Sequence, residues 1–194
     1  MTRTELLNAL IVKNNYEKYL EIGVNTPAQP GYNWSGINAK LKHGVDPNVE
    51  TTFSVTSDYF FKNIAAIKYD IIFVDGLHIF EQSYKDIING LQFLNDGGTI
   101  VVHDCNPINE ITQRRERASD VWHGDVWKAI LKLRTERSDL NIKTVDTDEG
   151  CAVIQMGKSS ILNMEPIFEY QFLEKNRKEI LNLISVDEFI KLYL

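Results

Sequence analysis

The chain has 194 residues, of which 43% are hydrophobic and 25% are charged, and these values are typical of a single globular domain. The net charge of −6 excludes a general attraction to nucleic acid or to an anionic membrane. No apolar run approaches the roughly 20 residues that a membrane-spanning helix needs, and the first residues lack the apolar core of a signal peptide. Cys105 and Cys151 are too few for a disulfide framework, so we expect a cytoplasmic protein.

Helices and strands alternate along the first half of the chain. Apolar residues recur at helical spacing at the N-terminus, where Thr4 is placed to cap a helix. Continuous apolar or β-branched runs predict buried strands. We expect helices over residues 4–13, 34–42 and 58–67, and strands over residues 19–23, 43–46 and 51–55.

The second half continues this alternation and ends in a hairpin and further helices. We expect strands over residues 69–75 and 99–104, helices over 80–95 and 124–136, an antiparallel hairpin of 140–145 with 151–156, and helices within 166–194. The order predicts an α/β fold with a doubly wound, Rossmann-like sheet of seven strands, mostly parallel, with an antiparallel C-terminal hairpin. Residues 1–158 would form the main domain with its N-terminal helix. Residues 159–194 would form a helical extension, packed on that domain or on a partner in a homodimer.

Two aspartates close neighbouring predicted strands, and a histidine follows the first of them. Ligands in open α/β sheets bind outside the carboxyl ends of the strands, where Asp75 and Asp104 are expected. Adjacent strands are about 4.8 Å apart, so two carboxylates there repel each other unless a cation lies between them. Oxygen ligands favour Mg²⁺, or Mn²⁺, and Asn106 could supply a third oxygen. His78 has the residue type and the position of a general base.

Five segments together resemble a known family. They are residues 19–24 (YLEIGV), 44–47 (GVDP), 56–61 (TSDYFF), 73–78 (FVDGLH) and 102–107 (VHDCNP). The chain resembles class I S-adenosylmethionine-dependent methyltransferases, in the macrocin O-methyltransferase-like group (methyltransferase family 24). The resemblance extends over about residues 17–157 and implies S-adenosylmethionine as cofactor.

The resemblance also implies where the cofactor binds. The implied positions are Glu21 and Gly23 for the methionine part, Asp46 for the ribose hydroxyls, Ser57 and Asp58 for the adenine edge, and Asp75 beside the reacting end. The usual glycine-rich continuation is replaced by residues 24–31, which contain Pro27 and Pro30. No G-x-G-x-x-G motif occurs in the chain, and this disfavours a dinucleotide enzyme.

Methyl transfer to a hydroxyl group needs an oxygen nucleophile that loses a proton as it attacks. The resemblance implies His78 as the base, with Asp75 as its catalytic neighbour, where the related catechol O-methyltransferase carries a lysine. The implied acceptor is a hydroxyl of a sugar, a glycoside, a glycan or another small molecule.

Two alternatives stay open. In one, His78 acts as the base without a metal; in the other, the chain is a non-catalytic adenosylmethionine-binding or interaction module. His103 is expected to point away from Asp104, because side chains alternate along a strand. The loop over residues 106–123 contains three arginines, and exposure of these side chains to solvent is the simplest interpretation. They could instead bind an anionic substrate. Trp122 in the same loop could stack on a sugar ring. The arginines are Arg114, Arg115 and Arg117.

Overall fold

A computed structural model of the protein describes residues 1–26 and 33–194. Pro27, Pro30 and most of the expected proline-containing loop therefore lie outside the described residues. The helices are α1 (Arg3–Asn14), α2 (Asn33–Gly36), α3 (Ser57–Asn63), α4 (Phe80–Gln92), α5 (Trp127–Glu136), α6 (Tyr170–Leu181) and α7 (Val186–Tyr193). The strands are β1 (Lys18–Ile22), β2 (Leu41–Val45), β3 (Tyr69–Val74), β4 (Leu94–Val102), β5 (Leu140–Val145), β6 (Cys151–Met156) and β7 (Leu183–Ile184).

In the described residues, seven strands form one sheet in the order β2-β1-β3-β4-β6-β5-β7. Neighbours from β2 to β4 are parallel, β6 is antiparallel to both β4 and β5, and β7 is parallel to β5. The predicted α/β fold, with its mostly parallel sheet and antiparallel hairpin, is confirmed. The chain crosses from β1 to β2 on one side and to β3 on the other. The strand order therefore reverses at β1, where sheets of this kind bind ligands.

Side chains of the strands alternate between two buried layers. Leu20, Ile72 and Ile100 pack on one face of the sheet, in the cluster that includes Trp127 of α5. Phe73 and Val101 point to the other face, in the cluster that includes residues of α1 and α7. Both faces are thus covered, which explains why the strands are continuously apolar. Within the described part of the chain, no helix combines the length and apolar character needed to cross a bilayer.

One of the seven strands differs from the prediction. Residues 51–55 form only an isolated bridge, between Phe53 and Val45. Polar side chains in this segment bond to the backbone instead, as when the Ser54 hydroxyl donates to the Val49 carbonyl at 3.0 Å. The remaining strand comes from the C-terminal tail, where Leu183 pairs with Thr144 of β5.

Several element boundaries also differ from the prediction. Thr2, not Thr4, caps α1, because its hydroxyl accepts from the Glu5 N–H and the Glu5 carboxylate accepts from the Thr2 N–H. The helix predicted over 34–42 ends at Gly36, and its last two residues, 41 and 42, belong to β2. The helix predicted over 80–95 ends at Gln92, residues 95–98 lie within β4, and residues 166–169 precede α6.

Candidate active site

A pocket of about 610 Å³ opens at the carboxyl ends of β1, β2 and β3. Its volume is within the roughly 300–1,000 Å³ typical of small-molecule sites. The strand register explains its position, because Ile22 aligns with Val74 and Val74 aligns with Val102. The residues that follow the ends of β1, β3 and β4 therefore meet at one edge of the sheet. The lining includes Glu21, Gly23, Asp46, Ser57, Asp58, Asp75, His78 and Asp104.

Asp75, His78 and Asp104 come together on one side of this pocket. The Nε2 atom of His78 lies 3.5 Å from Oδ1 of Asp75, and its Nδ1 atom lies 3.1 Å from Oδ2 of Asp104. One ligand atom from each residue falls within 4.8 Å of the others. This is the arrangement expected from the two strand ends and the turn between β3 and α4.

The His78 ring is held by the loop that precedes α5. Its Nδ1 atom lies 2.9 Å from the Trp122 carbonyl oxygen, and the two rings stack with centroids 4.9 Å apart at an angle of 19°. Both oxygens near Nδ1 are acceptors, so Nδ1 carries a hydrogen, and Nε2 can donate to the Asp75 carboxylate when the ring is protonated. Gly124 permits this approach, since a Cβ there would lie 1.7 Å from the His78 carbonyl oxygen.

His103 was missed as a site residue, and its predicted orientation is wrong. It is buried, and its Nδ1 atom lies 3.3 Å from Oδ1 of Asp75 and 3.3 Å from Oδ1 of Asp104. Strand alternation does not apply here, because β4 ends at Val102 and Asp104 has a φ of +59°. The backbone therefore turns between the two residues, so that both side chains face Asp75.

The charges around Asp75 favour its ionised form. Burial raises the pKa of the carboxyl group, but the charges and hydrogen bonds of His103 and His78 outweigh it and hold the pKa well below its usual range. Burial lowers the pKa of His78, but its hydrogen bond to Asp75 and the charges of Asp104 and Asp75 raise it by more. The Asp75 carboxylate and the two histidines therefore attract one another.

Asn106 is not brought to this group. Its side-chain oxygen accepts a 2.6 Å hydrogen bond from Nη1 of Arg177, and its Nδ2 donates to Oδ1 of Asp146 at 2.9 Å. Arg177 belongs to α6 in the tail, so the local sequence carries no sign of this competitor. Asn106 does not line the pocket, which contradicts the expected third metal ligand.

Glu21 is buried at the other side of the pocket. Its Oε2 atom accepts hydrogen bonds from the Tyr19 hydroxyl at 2.5 Å and from Nδ2 of Asn33 at 3.2 Å. Burial raises the pKa of Glu21 to about 8, although both hydrogen bonds oppose the shift. A cation bound beside this carboxyl group would therefore displace a proton at neutral pH.

Gly23 is required by a close approach between two strand ends. Its φ is +86°, and a Cβ would lie 2.1 Å from the Asp75 carbonyl oxygen. Asp46 accepts backbone hydrogen bonds from Val24 at 3.1 Å and from Asn25 at 3.0 Å, which fixes the chain beyond Gly23. Both predicted residues therefore shape this part of the pocket.

Ser57 and Asp58 lie at the start of α3 and share one partner. Nε2 of Gln82 is 3.1 Å from the Ser57 hydroxyl oxygen, 3.2 Å from Oδ1 of Asp58 and 3.0 Å from Oδ1 of Asp86. Thr56, not Asp58, is the N-cap of α3. Gln82 and Asp86 were not anticipated, because they come from α4; burial raises the pKa of Asp86 to about 6.

The side chains of the loop before α5 make other contacts than those expected with a substrate. Arg115 forms ion pairs with Glu81 and Asp125, and Arg117 donates to backbone carbonyls within its own loop. The Trp122 ring covers His78 instead of facing an open sugar site. None of these loop side chains lines the described pocket.

Comparisons with known proteins agree with this geometry. The family described as a methyltransferase domain matches residues 6–105, just over half of the chain. An O-methyltransferase from Bacillus cereus, solved in complex with SAH, has a TM-score of 0.57 at 13% identity, over 80% of this chain and 82% of that one. TomG from Streptomyces achromogenes, an O-methyltransferase of tomaymycin synthesis solved with SAM, has a TM-score of 0.56 at 14% identity, over 80% and 79%.

A further similar structure is larger. The MycE methyltransferase of the mycinamycin pathway, solved with Mg and SAH, has a TM-score of 0.50 at 14% identity, over 79% of this chain but 48% of that one. No curated protein sequence matches the chain. At these identities the structural likeness establishes the fold, and it confirms the class I methyltransferase architecture that the five segments predict.

Proposed function

The chain belongs to the methyltransferase-domain family, and on that premise we propose that it transfers the methyl group of S-adenosylmethionine to a hydroxyl group. A divalent cation, Mg²⁺ or Mn²⁺, assists the reaction. The acceptor is a small molecule such as a sugar or a glycoside. The observation that carries this proposal is the cluster of Asp75, His78 and Asp104 inside the pocket at the strand ends.

The residues on the Glu21 side fit S-adenosylmethionine. A buried carboxyl group suits its ammonium group, and the absence of a Cβ at Gly23 leaves the backbone close to the pocket. Asp46 lines the pocket at the end of β2, where dinucleotide folds place an acid for ribose hydroxyls. Two proteins of similar fold were solved with SAH or SAM bound, which supports S-adenosylmethionine as the cofactor.

The donor set on the other side fits a divalent cation. Asp75 and Asp104 present two carboxylates whose mutual repulsion is offset by the neighbouring histidines and by Arg3. Carboxylate oxygens suit Mg²⁺ and Mn²⁺. A cation held by these two residues would lower the pKa of an acceptor hydroxyl nearby. The Mg complex of MycE supports a metal on this fold.

His78 supplies the base in this proposal. Because Trp122 holds Nδ1 as a donor, Nε2 of the neutral ring is the atom that takes the proton of the acceptor hydroxyl, and the Asp75 carboxylate 3.5 Å away stabilises the imidazolium that forms. As the oxygen forms its bond to the methyl carbon, the carbon–sulfur bond breaks and its electron pair goes to sulfur. Stacking on Trp122 and partial burial keep the ring oriented and limit access of water.

A metal-independent methyltransferase is the second candidate, and one observation favours it. Arg3 and His103 already bring positive charge to the two aspartates: Nη1 of Arg3 lies 2.7 Å from Nε2 of His103, whose other nitrogen faces Asp75 and Asp104. In that case His78 acts alone as the base, and the aspartates orient the two histidines.

Calorimetric titration separates these candidates. We would titrate SAH into metal-stripped protein with and without Mg²⁺, and then test sugars and glycosides as acceptors under both conditions. Micromolar SAH binding with Mg²⁺-dependent turnover supports the proposal. Turnover that is insensitive to EDTA selects the metal-independent reaction, and absence of SAH binding in both conditions contradicts the methyltransferase proposal.

A further inference from the structure

Arg3 brings a permanent positive charge into the pocket from the first turn of α1. It lines the pocket together with Glu21 and Gly23, and its side chain is 29% exposed. Among the pocket-lining residues that the structure describes, it is the only arginine or lysine. The same lining contains six carboxyl groups, those of Glu21, Asp46, Asp58, Asp75, Asp86 and Asp104.

Contacts on one edge hold Arg3 in place. Its backbone N–H donates to Oδ2 of Asp148 at 2.5 Å, and its Nη1 atom lies 2.7 Å from Nε2 of His103 and 3.5 Å from Oδ1 of Asp148. Within residues 1–26 and 33–194, the hydrogen bonds of the guanidinium group all use Nη1. A guanidinium carries five N–H donors in a planar fork, so its other edge can bind a ligand.

A short hydrogen-bond chain places α1 at the same end of the pocket as Glu21. The Thr4 hydroxyl donates to Oδ1 of Asn33 at 2.8 Å, and Nδ2 of Asn33 donates to Oε2 of Glu21 at 3.2 Å. Arg3 precedes Thr4 directly. The guanidinium is near enough to Glu21 for its charge to lower the pKa of that carboxyl group, against the larger effect of burial.

We infer that Arg3 binds the α-carboxylate of the methionine part of S-adenosylmethionine, while Glu21 takes its ammonium group. The inference rests on the proposed function and adds a recognition residue to it. The amino-acid end of the cofactor is a zwitterion, and its carboxylate would enter a pocket with six acidic side chains. Arg3 offsets that repulsion and can form a charge-assisted, bidentate contact.

Cofactor analogues that lack this carboxylate test the inference by calorimetry. Arg3→Gln should weaken SAH and S-adenosylmethionine binding roughly ten- to hundredfold, since a hydrogen bond between two charged groups is lost. Decarboxylated S-adenosylmethionine keeps the ammonium group but lacks the carboxylate. Its affinity for Arg3→Gln should match that for the unchanged protein within about twofold, as should that of 5′-methylthioadenosine.

Two further variants keep the test decisive. Arg3→Lys retains the charge without the planar fork and should give an intermediate loss for SAH, which answers the question if Arg3→Gln does not fold. Lys13→Gln removes one positive charge from the last turn of the same helix and should leave binding of all four ligands unchanged.

The outcomes are distinct. Loss confined to the ligands with a carboxylate supports the inference. Equal loss for every ligand assigns Arg3 a structural role and overturns it, as does unchanged SAH affinity. If the unchanged protein binds none of the four ligands, the proposed function itself fails, and the inference fails with it.

Discussion

Glu21 and Asp75 lie at the carboxyl ends of the neighbouring strands β1 and β3, yet their pKa values are shifted from the ordinary values in opposite directions. Burial raises the pKa of Glu21 to about 8, because its hydrogen-bond partners Tyr19 and Asn33 carry no charge. Burial acts on Asp75 in the same sense, but His103 and His78 lower its pKa by more. The identity of the partners, more than burial, decides the charge of each carboxyl group.

The two sides of the pocket are thus prepared for different ligands. The Asp75 side keeps its negative charge before anything binds, as a metal site or a pair of oriented bases requires. The Glu21 carboxyl group is largely protonated at pH 7 and gains its negative charge when a cation such as an ammonium group binds beside it. In the proposed function, one side of the pocket carries the transfer chemistry and the other recognises the cofactor.

The largest expected effect comes from removing charge on the Asp75 side. Asp104→Asn should lower kcat by about 10³-fold or more, because the cation that assists transfer loses a ligand. SAH affinity should stay within a few-fold, since Glu21 and Gly23 are untouched. Steady-state kinetics across a Mg²⁺ titration, with SAH calorimetry, checks both. Asp96→Asn, an exposed change in β4, is the control; joint loss of activity and binding would indicate misfolding instead.

His78→Asn tests whether the Nε2 lone pair is the base. We expect kcat to fall roughly 10²–10³-fold, which is the range for loss of a general base. SAH binding and its response to Mg²⁺ should persist, because both aspartates and the Glu21 side are intact. Single-turnover rates isolate the chemical step. A variant that keeps more than half of its activity would remove His78 from the mechanism.

Glu21→Gln tests the opposite side through both binding and stability. SAH affinity should fall roughly tenfold, because the ammonium group loses its counter-charge. The unfolding free energy of the unchanged protein should decrease as pH rises from the ordinary 4.5 toward the folded-state pKa of about 8, since the folded state holds the proton longer.

The neutral glutamine variant lacks that loss. Its free energy of unfolding should therefore exceed that of the unchanged protein by about 2–4 kcal/mol at pH 9 and by little at pH 5. Urea unfolding at both pH values measures the difference. Glu17→Gln, at an exposed acid just before β1, is the control. Equal stability differences at the two pH values would show that Glu21 is ionised throughout.

The smallest expected effect comes from the loop that supports His78. Trp122→Ala removes the stacked ring and should reduce kcat about three- to tenfold, the size of an aromatic contact. Trp122→Phe should restore most of the rate, because the backbone carbonyl that binds Nδ1 is present in every variant. A loss as large as that of His78→Asn would instead give the indole a direct part in catalysis.

The meeting of Asp75, His78 and Asp104 was predictable, because apolar runs mark β3 and β4 and parallel strands bring their carboxyl ends together. The positions of Glu21, Gly23 and Asp46 were predictable for the same reason, because each residue lies at or next to the carboxyl end of a predicted strand. Thr51 to Val55 shows where the same rule fails. A β-branched run has strand propensity, but Ser54 and Thr52 use their hydroxyls on nearby backbone groups.

The amino-acid sequence by itself thus determined the parallel strands β1 to β4, the antiparallel hairpin of β5 and β6 and the carboxylates at the strand ends, because hydrophobic periodicity marks the strands and parallel pairing brings their carboxyl ends together. Only the tertiary structure decided which further side chains enter the pocket. Arg3 reaches His103 across a hundred residues of chain, and Arg177 of α6 holds the Asn106 side chain away from Asp75 and Asp104. Contacts between distant segments depend on how whole elements pack, and no spacing along the chain encodes them.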